Sequence, residues 1–205
     1  MAEELEQINK LYDDIINASY FTSLLTSRAQ KIQSYNDVAI KYVQYITNNE
    51  NLESSTKIEI YKKIIYLYEY LNIEDEIIKY KLKYYELLND EEFINEIRKI
   101  DIPKFLKHTE NDNLKIKFYK YLITINSSSK IDFIDFIISL KDEKLQLELI
   151  EEFVELIKEL FISNLKTTKA KKYAELLIKY NKDEYLKYCC EIDPLISNID
   201  YYKSL

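Results

Sequence analysis

Apolar residues recur along the chain at spacings of three and four, the period of a helix that buries one face. Leu5, Ile8, Leu11/Tyr12 and Ile15/Ile16 mark a first helix. Phe21, Leu24/Leu25, Arg28/Ala29 and Ile32 predict a second, and Tyr35, Val38/Ala39, Tyr42/Val43 and Ile46 a third. The polar run 48–51 breaks the pattern. Ser54, Ser55 and Thr56 then offer N-caps to a fourth helix with Tyr61, Ile64/Ile65, Tyr68 and Leu71 on its inner side. A fifth opens on Glu74, Asp75 and Glu76, acids at the positive end of a helix dipole, and buries Ile78, Leu82, Tyr85 and Leu88. Phe93, Ile94, Ile97 and Ile100 make a shorter sixth, and Pro103 starts a brief turn through Leu106.

Further on, Leu114, Phe118, Tyr121/Leu122 and Ile125 predict a seventh helix, and Ile131, Ile134 and Ile137/Ile138 an eighth. Residues 142–163 carry the cleanest stripe, Leu145, Leu149, Phe153, Leu156/Ile157 and Leu160, and predict one long ninth helix. Thr167 and Thr168 cap a tenth around Tyr173/Ala174 and Leu177, and Asp183 starts an eleventh through Leu186 and Cys189/Cys190. The stretch 126–129 is the most linker-like, a soft division within one domain of residues 1–205. About eleven helices on short turns predict stacked antiparallel helical hairpins, an all-α solenoid with no sheet.

Glycine is absent from all 205 residues, and proline occurs twice. Tight β-hairpin turns favour glycine, and phosphate-cradling loops require it. Their absence excludes turn-rich sheets, a P-loop and a dinucleotide-binding fingerprint. Turns must be made by Asn, Asp, Ser or Pro, with Asn72, Asn89 and Asn126 expected at helix ends. Ile, Lys, Asn and Tyr are encoded by AT-rich codons, and their abundance fits an AT-rich coding sequence. Ile and Tyr are mediocre helix formers, so tertiary packing must hold these helices.

The segment 58–88 resembles a tetratricopeptide (TPR) hairpin. It has apolar helix-A positions at Tyr61, Ile64 and Tyr68, a turn at 72–75, and a second helix spanning Tyr80 to Tyr85. The small-residue positions of that family are filled by Ile65, by Ile77 or Ile78, and by Tyr84 or Tyr85. The resemblance implies a TPR-like scaffold architecture, found in adaptors and in accessory subunits of larger assemblies.

Chemistry has little to work with. His108 is the one histidine, placed in a surface loop, and a catalytic triad would have to use it. Adjacent Cys189 and Cys190 form a poor disulfide and too small a set for zinc. The acidic pairs sit at helix starts and outer faces. No catalytic, cofactor or metal constellation is legible, and a non-enzyme is expected. No run is apolar enough to span a bilayer. The acidic N-terminus and the cysteine usage fit a reducing, cytoplasmic setting.

The formal net charge is −7, which disfavours non-specific binding to nucleic acid. Its distribution is uneven. Residues 141–160 hold seven acids against three lysines, 104–130 six lysines against two acids, and 164–190 seven lysines against three acids. Tyrosines and phenylalanines interleave with the basic runs, so Lys115, Lys117, Lys120, Lys169, Lys171 and Lys172 are candidate contacts to RNA or an acidic partner. Among 20 tyrosines, Tyr66, Tyr70 and Tyr80 fall off the main helical stripes and are candidates for a partner surface. The first expectation is a non-catalytic scaffold with protein partners. The alternative is a ribosome-associated factor docking through 104–130 and 164–190, and a third reading is a viral structural protein.

Overall fold

The computed structural model describes residues 2–21, 27–165 and 167–192. Among these the chain is all-α, with twelve helices and no strand. It divides into two compact units, Met1–Phe118 and Tyr119–Leu205. The division falls inside a helix, ahead of the 126–129 stretch.

The first unit begins with three long helices, α1 (Ala2–Phe21), α2 (Arg28–Asn48) and α3 (Ser54–Leu71). The two helices expected between Phe21 and Ile46 are one. Phe21 ends α1, and α2 runs on from Arg28. The expected core residues Leu24 and Leu25 lie outside the described residues. Ser27 starts α2 with a capping box: its hydroxyl accepts from Gln30 N at 3.2 Å, and Gln30 Oε1 accepts from Ser27 N at 3.0 Å. Nothing after Ile32 stops the helix, because Ser34 spends its hydroxyl on the Gln30 carbonyl within the same turn. At α3 the N-cap is Glu53, without a side-chain bond, rather than Ser54, Ser55 or Thr56.

Asn72 closes α3 in the left-handed conformation, φ 56°, ψ 42°, the single positive φ among the described residues. Its N–H reaches Glu69 O, and Ile73 N–H reaches Tyr68 O, both at 3.1 Å. This is the work glycine usually does. The other expected asparagines act differently. Asn89 starts a helix, sharing a capping box with Glu92. Asn126 turns the chain by accepting from the N–H and hydroxyl of Ser128.

After Asn72 come α4 (Glu74–Leu87), α5 (Asp90–Ile97), α6 (Ile102–His108) and α7 (Asp112–Ile125). Pro103 stands in the first turn of α6, where its missing N–H costs nothing, so the expected brief turn is a helix ending at His108. The registers show the hairpins directly. Tyr35 meets Tyr70, Tyr68 meets Tyr80, Glu69 meets Lys81 and Lys62 meets Tyr84, so α2/α3 and α3/α4 are antiparallel. Asn9 meets Lys63 and Tyr12 meets Tyr66, so α1 and α3 run parallel. Below them Tyr85 is surrounded by Phe93, Phe105 and Phe118, with ring centroids 5.8–6.2 Å away.

The second unit contains α8 (Ser129–Ser139), α9 (Glu143–Glu152), α10 (Val154–Ser163), α11 (Thr168–Tyr180) and α12 (Lys182–Ile192). The long helix expected over 142–163 is two. The chain breaks at Phe153, φ −115°, ψ 21°, and the break sets that ring edge-on against buried Phe133 at 4.9 Å. Asp142 caps α9 and Thr167 caps α11 through their side chains. α11 packs against α9, α10 and α12. It carries Ala170 and Ala174, fully buried, where neighbouring helices meet it. Buried Gln146 ties the unit together, donating to Ile137 O at 2.8 Å and accepting from Lys179 at 2.7 Å.

A candidate partner surface on the first unit

The centre of this surface is a polar knot among rings. Asn9, one turn before Tyr12 on α1, turns its Oδ1 toward α2 and α3. That oxygen accepts from Tyr42 OH at 2.8 Å and from Lys63 Nζ at 2.7 Å, which uses both lone pairs. The Lys63 ammonium lies 5.2 Å from the Tyr12 ring centroid and 5.8 Å from that of Tyr42. Burial, then the neighbouring Tyr12 and Asp13, pushes the Tyr42 phenol well above its ordinary value, so it stays a donor. Tyr12 moves the same way, mainly by burial and then beside Tyr66 and Asp13.

Two of the expected partner residues stand on this base. Tyr66 meets the Tyr12 ring edge-on at 6.2 Å and keeps 45% of its surface exposed. Tyr70 stacks on fully buried Tyr35 with centroids 3.9 Å apart and remains 48% exposed. The antiparallel register that pairs Tyr35 with Tyr70 brings Ile32 and Ile73 to the same end of α2/α3, and both are exposed. Each exposed ring is thus held from below by another ring.

Tyr80 is a correction: it is buried, not a surface residue. Its ring lies between Tyr61 and Tyr68, stacked on the latter at 5.7 Å. A single helical stripe misplaces it because α4 packs against both α3 and α6 and buries residues on two faces, Tyr80 and Tyr84 as well as Ile78, Leu82 and Tyr85. Asn9, Tyr12, Tyr42 and Lys63 were not singled out from the sequence as a group. Tyr12 and Tyr42 stand on their apolar stripes, and the further signal available is Asn9, a polar residue one position beside the stripe of α1.

The basic stretches fall across the two units. Lys115 and Lys117 belong to the first unit and Lys120 to the second. Lys115 pairs with Asp112 at 3.3 Å, Lys117 with Asp90 at 3.0 Å, Lys120 with Glu152 at 2.7 Å and Lys169 with Asp135 at 3.1 Å. The bond to Asp135 raises the pKa of Lys169. The acidic stretch 141–160 also supplies Glu159 to Lys130 and Glu143 to Lys179. The opposite charges that look like separate patches along the chain therefore meet in space. Lys171 and Lys172 are exposed on α11.

The remaining chemical candidates are placed plainly. His108 is exposed at the C-terminal end of α6 rather than in a loop. Cys189 is fully buried, and burial pushes its thiol up to about 12. Among the described residues no group of three or more His, Cys, Asp and Glu is arranged to hold a metal ion, and no helix is long and apolar enough to cross a membrane. Comparison of the chain with protein-family models, with curated proteins and with solved structures gave no match in any of the three.

Proposed function

We propose that the protein is a non-catalytic helical scaffold or adaptor, TPR-like in plan, which holds a protein partner on the α1/α3 side of its first unit. The observation that supports this is the pair of exposed rings, Tyr66 and Tyr70, each braced by a ring beneath it. Rigid aromatic side chains offer large contact area and lose little conformational entropy on binding. A helix surface with no partner has little use for two half-exposed tyrosines fixed in this way. Docking on RNA through the basic stretches is less well supported, because Lys115, Lys117, Lys120 and Lys169 already hold carboxylates.

The test is affinity purification of the full chain after nuclease treatment, with wild type beside a Tyr66→Ala/Tyr70→Ala variant. Both side chains are half exposed, so the variant keeps its helical circular dichroism. The wild type is expected to retain a stoichiometric protein partner and the variant to lose it. Equal recovery by both overturns the reading.

A further inference from the structure

We propose that one end of the second unit, marked by Ile125 and Ile162, is the seat of the chain's own residues 193–205. Ile125 and Ile162 are the most exposed large apolar side chains among the described residues, at 61% and 50%. The helix registers put them at the same end. α7 stops at Ile125, and a turn closed by Ser129 N–H on Asn126 O at 3.2 Å starts α8. One residue into α8, Lys130 reaches Glu159 of α10 at 3.1 Å, and Ile162 stands one turn beyond Glu159. Further along α8, Phe133 meets Phe153 at the start of α10, so these two helices are antiparallel. The last turn of α10 therefore lies where α7 ends and α8 begins. α12 ends there as well. Lys158 lies over the Tyr185 ring, and three residues on in both helices Phe161 meets Tyr188 at 6.3 Å, so α12 runs parallel to α10. Ile192, one turn after Tyr188, comes level with the last turn of α10.

Residues 193–205 lie outside the described residues, and they follow α12 from this end. Their sequence is a helix start followed by an apolar stripe. Asp193 suits an N-cap and Pro194 the first helical position. Leu195, Ile196, Ile199 and Tyr202 then recur at helical spacing. An isolated helix this short is marginal in water, so its stripe needs a surface to lie on. As a helix the segment spans roughly 20 Å, about two interhelix spacings, which carries it from Ile192 across the last turn of α10 toward Ile125. Ser127, Ser128 and Ser163 beside the two isoleucines are exposed and uncharged, and the nearest charges, Lys130 and Glu159, hold each other. The seat thus selects by apolar contact rather than by charge. Tethering favours this occupant over a separate chain, because a segment joined directly to α12 is present at an effective concentration of about millimolar. A second copy is further disfavoured by the net charge of −7 that each would carry.

The experiment is amide hydrogen exchange of the full chain read by mass spectrometry, with a synthetic peptide of residues 193–205 as the free reference. The amides of 196–202 are expected to exchange at least about tenfold more slowly in the chain than in the peptide. Ile125→Asp/Ile162→Asp should return them to the peptide's rate. Both side chains are at least half exposed, so this variant keeps its helical circular dichroism. Ile162→Ser is the milder second variant and should remove part of the protection. The same change on the first unit, Ile32→Asp/Ile40→Asp, should leave it intact. A second readout uses the absence of tryptophan from the chain. Ile199→Trp places a single reporter on the stripe, with blue-shifted emission that moves to the red when Ile125→Asp/Ile162→Asp is added. Exchange at the peptide's rate in the wild type overturns the proposal. Protection unchanged by Ile125→Asp/Ile162→Asp, or lost equally in the α2 variant, also overturns it. So does protection that grows with protein concentration, which marks a second copy as the occupant. Partner recovery with Tyr66→Ala/Tyr70→Ala tests the first unit and is independent of this result.

Discussion

Two cores are built here from one restricted set of residues. In the first unit the largest fully buried side chains include Tyr35 and Tyr42, and tyrosine rings meet across α1, α2, α3 and α4. Its helices α1 to α3 run for 18–21 residues. In the second unit Phe133, Phe161, Ile134 and Tyr173 fill that place, and α8 to α12 run for only 10–13 residues. The lysines serve both units alike. Lys62, Lys63 and Lys83 of the first unit and Lys158 of the second lie over tyrosine rings, while Lys81 and Lys117 of the first and Lys120, Lys130, Lys169 and Lys179 of the second reach carboxylates on other helices. A phenol can be buried cheaply only if its hydroxyl finds a partner. The first unit supplies such partners on long parallel and antiparallel helices. The second shortens its helices and relies more on phenylalanine, which has no hydroxyl to satisfy, with alanines where α11 is surrounded.

The comparison predicts that aromatic truncation hurts the first unit most. Tyr85→Ala removes the ring that Phe93, Phe105 and Phe118 enclose, and is expected to cost about 3–5 kcal/mol in urea unfolding. Ile134→Ala, equally buried in the second unit, is expected to cost about 2–4 kcal/mol. A smaller loss for Tyr85→Ala than for Ile134→Ala would reverse the ranking.

High pH tests the same cores without mutation. Burial, then Glu96, pushes the Tyr84 phenol up to about 12, and burial first moves Tyr42 and Tyr85 further in the same direction. The unfolded phenol titrates near ~10. A group whose folded pKa is raised binds its proton more tightly in the folded state. Its stabilisation is therefore complete below ~10 and is lost as pH rises from there through about 12. Stability measured by urea is expected to be flat below that window and to fall steadily within it. Tyrosinate absorbance of the folded protein should lag behind that of the unfolded chain. A titration of folded protein that coincides with the unfolded one would show that the buried phenols are in fact open to solvent.

A smaller pair of changes sets hydroxyl against hydroxyl. Tyr42 OH donates to Asn9, whereas Tyr173 OH is buried with no hydrogen-bond partner among the described residues. Losing a satisfied bond costs roughly 0.5–1.5 kcal/mol, and an unsatisfied buried polar group is itself a cost of about 1–3 kcal/mol. Tyr42→Phe should therefore lower stability and Tyr173→Phe should raise it, each by about 1 kcal/mol. The same sign for both would remove the distinction between the two units.

How much of this was legible in the sequence follows from what each residue depends on. The all-α class, the left-handed Asn72 and the cap at Thr167 depend on neighbours within four residues, and local pattern finds them. The break at Phe153 does not, because the stripe through 142–163 is continuous and the ring leaves it only to meet Phe133, twenty positions earlier. Tyr80 is missed for the same reason, since its burial comes from α3. Tyr66 and Tyr70 are exposed, as their places off the stripe of α3 suggest. Their supports are not legible in the same way, because Asn9–Lys63 and Tyr35–Tyr70 join distant parts of the chain. The basic stretches looked free because the carboxylates that pair with Lys120, Lys130 and Lys169 stand about thirty residues away.

The smallest effect separates a lysine on a carboxylate from a lysine on a ring. Lys120 and Glu152 meet at 2.7 Å with both side chains substantially exposed. A double-mutant cycle with Lys120→Ala and Glu152→Ala should give a coupling of about 0.2–1 kcal/mol that shrinks at high salt, because mobile ions screen exposed charges. Lys63 is half-buried against Tyr12, and a cycle with Lys63→Met and Tyr12→Leu should give about 0.5–1 kcal/mol. Methionine keeps much of the stem packing, so the cycle reports the ammonium over the ring rather than the lost methylenes. The second coupling should persist in salt, since the cation is partly desolvated and its partner is a ring quadrupole that attracts no counter-ion. If both couplings fell equally with salt, the Tyr12 ring would not be what holds Lys63.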